Sequence, residues 1–315
     1  MSSRENTPPA RGTALVAALL VVALATVMAV ALSSQIQFDV RRSASVLNSD
    51  QAYLYALGVE ALSARILERD LRDSEYDHLG EDWAQIPPPL PVDGGQVHGR
   101  LYDLQARFNL NTLVSVAGER DDAAYERLRR LLALLELDPG VADAVVDWID
   151  PDSEVSFPAG AEDGWYMGRD EPYLTANRRL SSVTELRLMR GVDAEFLRTL
   201  EPHVTALPEA TPVNVNTASA TVLAALVNGI SVSEAEELIE GRGEQGYSST
   251  ADFLAHEVLA GEVGEGIETG SITVRSHYFL LDSRVELGQQ RLRQFALIQR
   301  AASGARVLLR GQGAY

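Results

Sequence analysis

The chain has 315 residues, a formal net charge of −18 and 27 basic residues that are all arginines, because lysine is absent. This acidity disfavours binding to nucleic-acid phosphates or anionic headgroups, which need basic side chains, and it favours divalent cations. The absence of cysteine excludes a disulfide framework and thiol catalysis, while 46% hydrophobic residues allow a membrane helix plus one or two soluble domains.

The first predicted element is a long helix. Residues 14–32 form an apolar run whose only polar member is Thr26, long enough to cross a hydrocarbon core of ~30 Å. No proline or glycine follows until Gly58, and apolar residues recur at helical spacing as far as Ile66. We therefore expect one helix over 13–73, in the membrane over 13–33 and amphipathic afterwards. The run is too long for the core of a secretory signal peptide, whereas an uncut membrane anchor is an open alternative.

The start of this helix resembles a processed leader. The sequence Arg11-Gly12-Thr13-Ala14-Leu15 before an apolar helix is similar to type IV pilins and pseudopilins, which a prepilin peptidase cuts after the glycine. The resemblance implies a leader over 1–12 and a mature chain that begins at Thr13. Most members carry glutamate at the fifth mature position, where this chain has Ala17. That loss resembles the K-type minor pseudopilins of type II secretion, which are assigned to the filament tip.

Strand patterns lie on both sides of a long helical region. Three prolines at 87–89 mark a linker, and the alternation from Gln96 to Phe108 predicts a strand. Residues 278–287 and 290–299 predict a hairpin around Gly288. We therefore predict an α+β fold, in which the long helix packs on a small pilin-like antiparallel sheet. The sheet domain comprises 74–108 and 271–303, and a large helical domain over 109–270 is inserted into it.

An internal repeat divides the predicted insertion. Asn-x-Asn-Thr occurs at 109–112 and 214–217, and each motif is followed by a Ser-Ser pair, at 181–182 and 248–249. These signals predict two three-helix units, about 109–207 and 213–270, which resemble helix-hairpin-helix (SAM-like) modules. Such modules often bind nucleic acid, but residues 212–270 contain one basic residue, Arg242. We therefore expect a packing and partner surface. A membrane-anchored DNA-binding protein of an uptake system is the alternative function.

An acidic stretch begins at Asp143. Eight carboxylates fall within 28 residues, opposed by Arg169 alone, and prolines and glycines make the segment a loop. Calcium takes ~6–8 oxygen ligands and suits a flexible loop, whereas the alternative is a solvated acidic loop. The resemblance to the K-type pseudopilins implies calcium here. The predicted ligands are Asp150, Asp152, Glu154, Glu162 and Asp163, with Asp147 and Asn177 as weaker candidates.

No catalytic motif stands out. The sequence lacks His-Glu-x-x-His, a phosphate-binding loop ending in lysine and Gly-x-Ser-x-Gly. We therefore predict that the protein is not an enzyme, although an anchored hydrolase that uses the acidic loop is a third alternative.

The resemblance implies a minor pseudopilin at the tip of the type II secretion pseudopilus, with I-type and J-type minor pseudopilins as partners. It also implies a single pass through the inner membrane and a periplasmic soluble part.

Overall fold

The computed structural model describes residues 11–313, so most of the predicted leader lies outside the described part. Helix α1 spans Arg11–Asp73, about 95 Å at ~1.5 Å per residue. Within the described chain it is the one helix whose length and composition would let it cross a membrane. Its first 36 described side chains, from Thr13 to Asn48, are exposed with the single exception of the last. The predicted long helix is therefore present.

The second half of α1 packs on a five-stranded antiparallel sheet. Its strands follow chain order across the sheet: β1 (Leu90–Val92), β2 (Gly95–Asp103), β3 (Tyr278–Leu287), β4 (Gln290–Ala301) and β5 (Gly304–Gln312). The β3–β4 hairpin agrees with the prediction. Strands β1 and β5, which form the two edges, were not predicted, and β5 extends past the predicted domain limit at 303.

One face of the sheet is covered by α1. Phe279, Leu281 and Ile298 pack with Leu67 of the helix, and small residues of α1, such as Ala56, meet Val285 nearer the hairpin turn. A Cβ on Gly99 would lie 2.6 Å from a methyl carbon of Val59, so glycine allows the close approach of helix and strand. Burial of each large apolar side chain contributes roughly 1.5–3 kcal/mol, which fixes α1 on the sheet.

The prediction that the strand from Gln96 continues to Phe108 is wrong. Strand β2 ends at Asp103, whose side chain accepts a hydrogen bond from the Gln105 amide at 2.8 Å and so begins a 3₁₀ turn. Leu104 packs on the outer face of the sheet, whereas Phe108 enters the core of the helical insertion. The alternating apolar residues therefore serve two separate cores.

The insertion between β2 and β3 is helical and has two cores. One core draws almost all its residues from 108–206 and the other from 213–272. Each region is closed by a two-residue parallel pair, Phe108–Asn109 with Val204–Thr205 and Val213–Asn214 with Ile272–Thr273. The helices are α2 (Asp122–Leu134), α3 (Val141–Ile149), α4 (Asp163–Tyr166), α5 (Ala194–Leu200), α6 (Ala220–Leu226), α7 (Val232–Arg242), α8 (Thr250–Leu254) and α9 (Glu262–Glu265).

The two asparagine motifs make equivalent contacts. The Asn111 side chain donates to the Leu180 carbonyl at 2.9 Å and accepts from its amide at 2.8 Å. Asn216 does the same with Tyr247, at 2.9 and 2.7 Å. Leu180 and Tyr247 each precede a Ser-Ser pair, so both asparagines brace the start of the helical segment that follows the pair, a 3₁₀ helix over Val183–Leu188 in one region and α8 in the other. The Thr112 hydroxyl donates to the Asn109 carbonyl at 2.7 Å, and the Thr217 hydroxyl donates to Asp103.

A buried polar junction joins helix, sheet and insertion. Arg300, 1% exposed, pairs with Asp70 of α1 at 2.6 Å and with Asp77 at 2.5 Å. Asp103 accepts hydrogen bonds from the Thr217 and Ser276 hydroxyls, both at 2.6 Å. Burial raises the pKa of Asp103 to about 6. The insertion is therefore fixed to the sheet at the end where α1 stops.

Candidate metal centre

The C-terminal end of α3 places the first residue of the centre. The helix is buried along its whole length, with Trp148 and Ile149 in the core of the insertion. Asp150 precedes Pro151, which disfavours helical backbone, and its ψ of 158° is extended. The chain therefore leaves the core at Asp150, forms an exposed loop and is buried again from Gly160 to Glu162, which precedes α4.

Three of the predicted ligands converge at this point. Asp150, Asp152 and Glu162 each offer a carboxylate oxygen within 4.8 Å of the others. Asp150 and Glu162 are 7% and 4% exposed, whereas Asp152 lies at the surface. The arrangement is thus half-buried and opens to solvent on one side.

Several buried oxygens at this centre lack a hydrogen-bond partner within the described chain. They are Asp150 Oδ1, Glu162 Oε1 and Asn177 Oδ1. The Asn177 amide nitrogen donates to the Asp152 carbonyl at 3.3 Å, which joins this residue to the loop. A buried acceptor without a donor costs ~1–3 kcal/mol. Two of these oxygens belong to the converging carboxylates, and carboxylate and amide oxygens are the ligands that calcium prefers.

The three carboxylates repel one another. Burial, and then the charges of Asp152, Asp147 and Glu162, raise the pKa of Asp150 to about 7. Burial also raises the pKa of Glu162. The cluster therefore gains from a positive charge placed among its oxygens.

The other predicted ligands have different partners. Asp163 Oδ1 accepts from the Thr175 amide and hydroxyl at 2.9 and 2.7 Å, which lowers its pKa. Glu154 is exposed, and only its backbone amide reaches the cluster, by donating to Asp152 Oδ1 at 2.7 Å. Asp147 accepts from the Ser156 amide at 3.1 Å. Asn177, the other weaker candidate, meets the loop through its hydrogen bond to the Asp152 carbonyl. Its left-handed backbone, with φ of 45°, is a conformation that asparagine tolerates better than most residues.

At the other end of the molecule, the residues of the predicted processing site belong to α1. Gly12 and Thr13 lie in its first turn, and Ala17 is exposed one turn further on. An apolar helix that emerges alone from the folded part and then packs on an antiparallel sheet defines a pilin-like membrane subunit. The large helical insertion distinguishes this chain from a minimal version of that class.

The particular family follows from comparison with known proteins. Two models described as type II secretion system (T2SS), protein K match residues 106–209 and 213–275. Type II secretion system protein K of Pseudomonas aeruginosa PAO1 is 39% identical over 96% of this chain and 92% of its own. The Klebsiella pneumoniae protein is 35% identical over 97% of both chains. The chain belongs to the type II secretion system protein K family and is a minor pseudopilin.

A solved structure supports the same assignment. A chain in the GspK–GspI–GspJ complex from enterotoxigenic Escherichia coli matches with a TM-score of 0.78 and 30% identity. The match covers 87% of this chain and 100% of that one. These relatives give no support to the alternative of a DNA-binding protein of an uptake system.

Proposed function

We propose that this minor pseudopilin binds one calcium ion through Asp150, Asp152, Glu162 and Asn177. The observation that carries the proposal is the set of three partnerless buried oxygens, two of them from carboxylates. Calcium would neutralise the cluster and join the loop after α3 to the segment that carries Asn177. The ion is structural in this proposal, and the role of the protein is assembly rather than catalysis.

Intrinsic fluorescence tests calcium binding directly. Trp148 is 3% exposed, lies two residues before Asp150 and packs edge-on against Tyr166 at 5.3 Å. Titration of the metal-free protein with calcium should change the emission of Trp148 in a saturable manner. Magnesium, which demands a tighter octahedron, should bind more weakly. The absence of saturable binding by calorimetry and fluorescence together would refute the site.

We further propose that the protein occupies the tip of the pseudopilus, with the I-type and J-type minor pseudopilins as neighbours. The insertion joins the sheet beside the C-terminal end of α1, where Arg300 meets Asp70. The β3–β4 hairpin turn lies at the opposite end, where the Gln290 side-chain amide donates to the Ser45 hydroxyl at 2.7 Å. The insertion is therefore the part furthest from the apolar run, where its bulk would hinder a subunit above.

Ala17 fits the same position. A carboxylate within a membrane helix is costly, by up to roughly 2.5–3.5 kcal/mol at the helix centre on insertion scales, and Ala17 lies nearer the start of the span. A pseudopilin that needs no contact with the amine of a subunit above it gains nothing from glutamate there. The proposal includes cleavage by prepilin peptidase after Gly12, one pass through the inner membrane and a periplasmic soluble part.

The placement of the protein within filaments tests the tip role. Labelled protein should be found at one end of overproduced pseudopili, and Ala17→Glu should be tolerated there. Equal incorporation along the filament body would contradict the proposal.

The surface of the insertion supports a protein partner rather than nucleic acid, because 30 acidic residues against 11 arginines over 109–270 leave a net charge of −19.

A further inference from the structure

Phe157 presents its aromatic ring to solvent. The residue is 92% exposed and lies in the loop between α3 and Glu162. Burial of a phenylalanine side chain is worth roughly 1.5–3 kcal/mol, and this ring contributes almost none of that to its own domain. A single exposed phenylalanine is common on protein surfaces. The argument for an interface therefore depends on how rigidly the backbone beneath Phe157 is held.

The backbone beneath Phe157 is a tightly braced turn. The Gly160 amide donates to the Ser156 carbonyl at 2.8 Å and closes the turn. The Ser156 amide donates to Asp147 Oδ1 at 3.1 Å, and the Ala159 amide donates to Asp143 Oδ2 at 3.1 Å. The backbone on either side of Phe157 is thus anchored by two carboxylates of one helix.

These carboxylates are themselves fixed in the core. Asp143 and Asp147 lie one turn apart on α3 and are 1% and 0% exposed. The Tyr125 hydroxyl donates to Asp143 Oδ1 at 2.5 Å. Burial of carboxylates is unfavourable unless they are hydrogen-bonded, and here a large part of that bonding serves the exposed turn.

Gly160 shows how closely the turn is seated. A Cβ at this position would lie 2.2 Å from Asp147 Oδ2 and 2.4 Å from the Ser156 carbonyl oxygen. The Gly160 carbonyl also accepts from the Arg190 guanidinium at 3.0 Å. The turn is therefore held on both sides, while the ring at its apex stays outside. A rigid aromatic side chain loses little conformational entropy on binding, which is the property of an interface anchor.

The charge around the ring defines the kind of partner. Asp152 and Glu154 precede Phe157 in the same exposed loop, and the insertion as a whole carries −19. An anionic bilayer surface would repel this region. We propose that Phe157 is an anchor that inserts into an apolar pocket, rimmed by cationic side chains, on a partner protein. Asp143 and Asp147, which brace the turn, are not among the proposed calcium ligands, and the turn itself lies in the loop between the ligands Asp152 and Glu162.

The first test is secretion by cells whose own copy is replaced by the full-length variant. Phe157→Ser should reduce the exported protein in the medium strongly, because truncation of an anchor weakens a complex roughly 30-fold. Phe157→Trp, which keeps an aromatic ring, should restore much of the loss. The matched control is Val116→Ser, at a site that is 94% exposed outside the braced turn, and it should secrete like the wild type.

Three controls show whether a loss of secretion comes from the missing ring or from a damaged protein. Phe157→Ser must keep the protein level, the melting temperature with calcium and the calcium affinity of the wild type, because the ring lies outside the core. Unchanged secretion with Phe157→Ser would overturn the proposal. Equal losses with Phe157→Ser and Val116→Ser would also overturn it, since they would indicate a general apolar surface rather than one anchor.

The second test identifies the class of partner. A photoreactive benzophenone side chain in place of Phe157 in the full chain should form a protein adduct of one discrete mass in secreting cells. Phosphatidylglycerol vesicles should give no adduct with the purified protein. Lipid adducts, or no adduct in cells, would refute a protein pocket as the occupant, independently of the calcium and tip proposals.

Discussion

Removal of two carboxylates from the metal centre should have opposite effects with and without calcium. The change is Asp152→Asn together with Glu162→Gln, which keeps side-chain size and takes two charges from the cluster. Because Asp150, Asp152 and Glu162 offer oxygens within 4.8 Å of one another, the metal-free variant should be at least as stable as the metal-free wild type. In the presence of calcium, the wild type should be the more stable protein.

The expected size follows from binding linkage. Calcium at a hundredfold excess over its dissociation constant stabilises the folded state by ~2.7 kcal/mol. For a soluble part of this size, that free energy corresponds to a rise of roughly 5–10 °C in melting temperature. The double variant should lose most of this rise, because two of the four proposed ligands no longer carry charge.

The assay is thermal unfolding of the detergent-solubilised full chain, with calcium and with chelator. The matched control is Glu154→Gln together with Asp170→Asn, which removes two exposed charges from the same region but leaves the converging oxygens intact. The control should keep the calcium-induced rise. A full rise in the double variant would refute the ligand assignment.

Further predictions concern the buried junction, and chemical unfolding measures them all. Asp103→Asn should destabilise the protein by ~1–3 kcal/mol, because an amide whose oxygen accepts from Thr217 and Ser276 must turn its nitrogen towards the Gln105 N–H; wild-type stability would show the network to be dispensable. The raised pKa of Asp103, about 6 against 3.8, means that the folded state holds this proton longer than the unfolded state. The contribution of Asp103 to the free energy of unfolding should therefore fall as pH rises from about 4 to about 6, by on the order of 3 kcal/mol. The Asp103→Asn variant should lack this pH dependence. Arg300→Met should cost ~3–5 kcal/mol, because it leaves Asp77 buried without its partner; a loss below ~1 kcal/mol would show that the pair is unimportant.

The sequence predicts the elements whose signals are local. The length of α1 follows from its apolar run and from the lack of proline, and the β3–β4 hairpin follows from alternation around Gly288. The end of β2 could not be predicted from local sequence signals. Asp103 stops the strand through bonds to Gln105, Thr217 and Ser276, and two of these partners lie more than a hundred residues away. Alternation alone cannot show that Leu104 and Phe108 enter different cores.

The candidate site was predictable as a region but not as a set of ligands. The density of carboxylates after α3 indicated a cation, which pointed to Asp150 and Asp152. Glu162 and Asp163 are adjacent, and the sequence alone could not show which of the two side chains points towards the cluster. The turn at α4 directs Glu162 towards the cluster and Asp163 towards Thr175. Asn177 meets the Asp152 carbonyl because the chain folds back after α4, and no local pattern reveals this contact.

The measurement that tests the central claim most directly is the N-terminal sequence and intact mass of the protein from membranes, with and without prepilin peptidase. A chain that begins at Thr13 only when the peptidase is present is the predicted result, and it would establish entry into the pseudopilus through a processed helix. A chain that still begins at Met1 in the presence of the peptidase would contradict this account, as would cleavage after the apolar run.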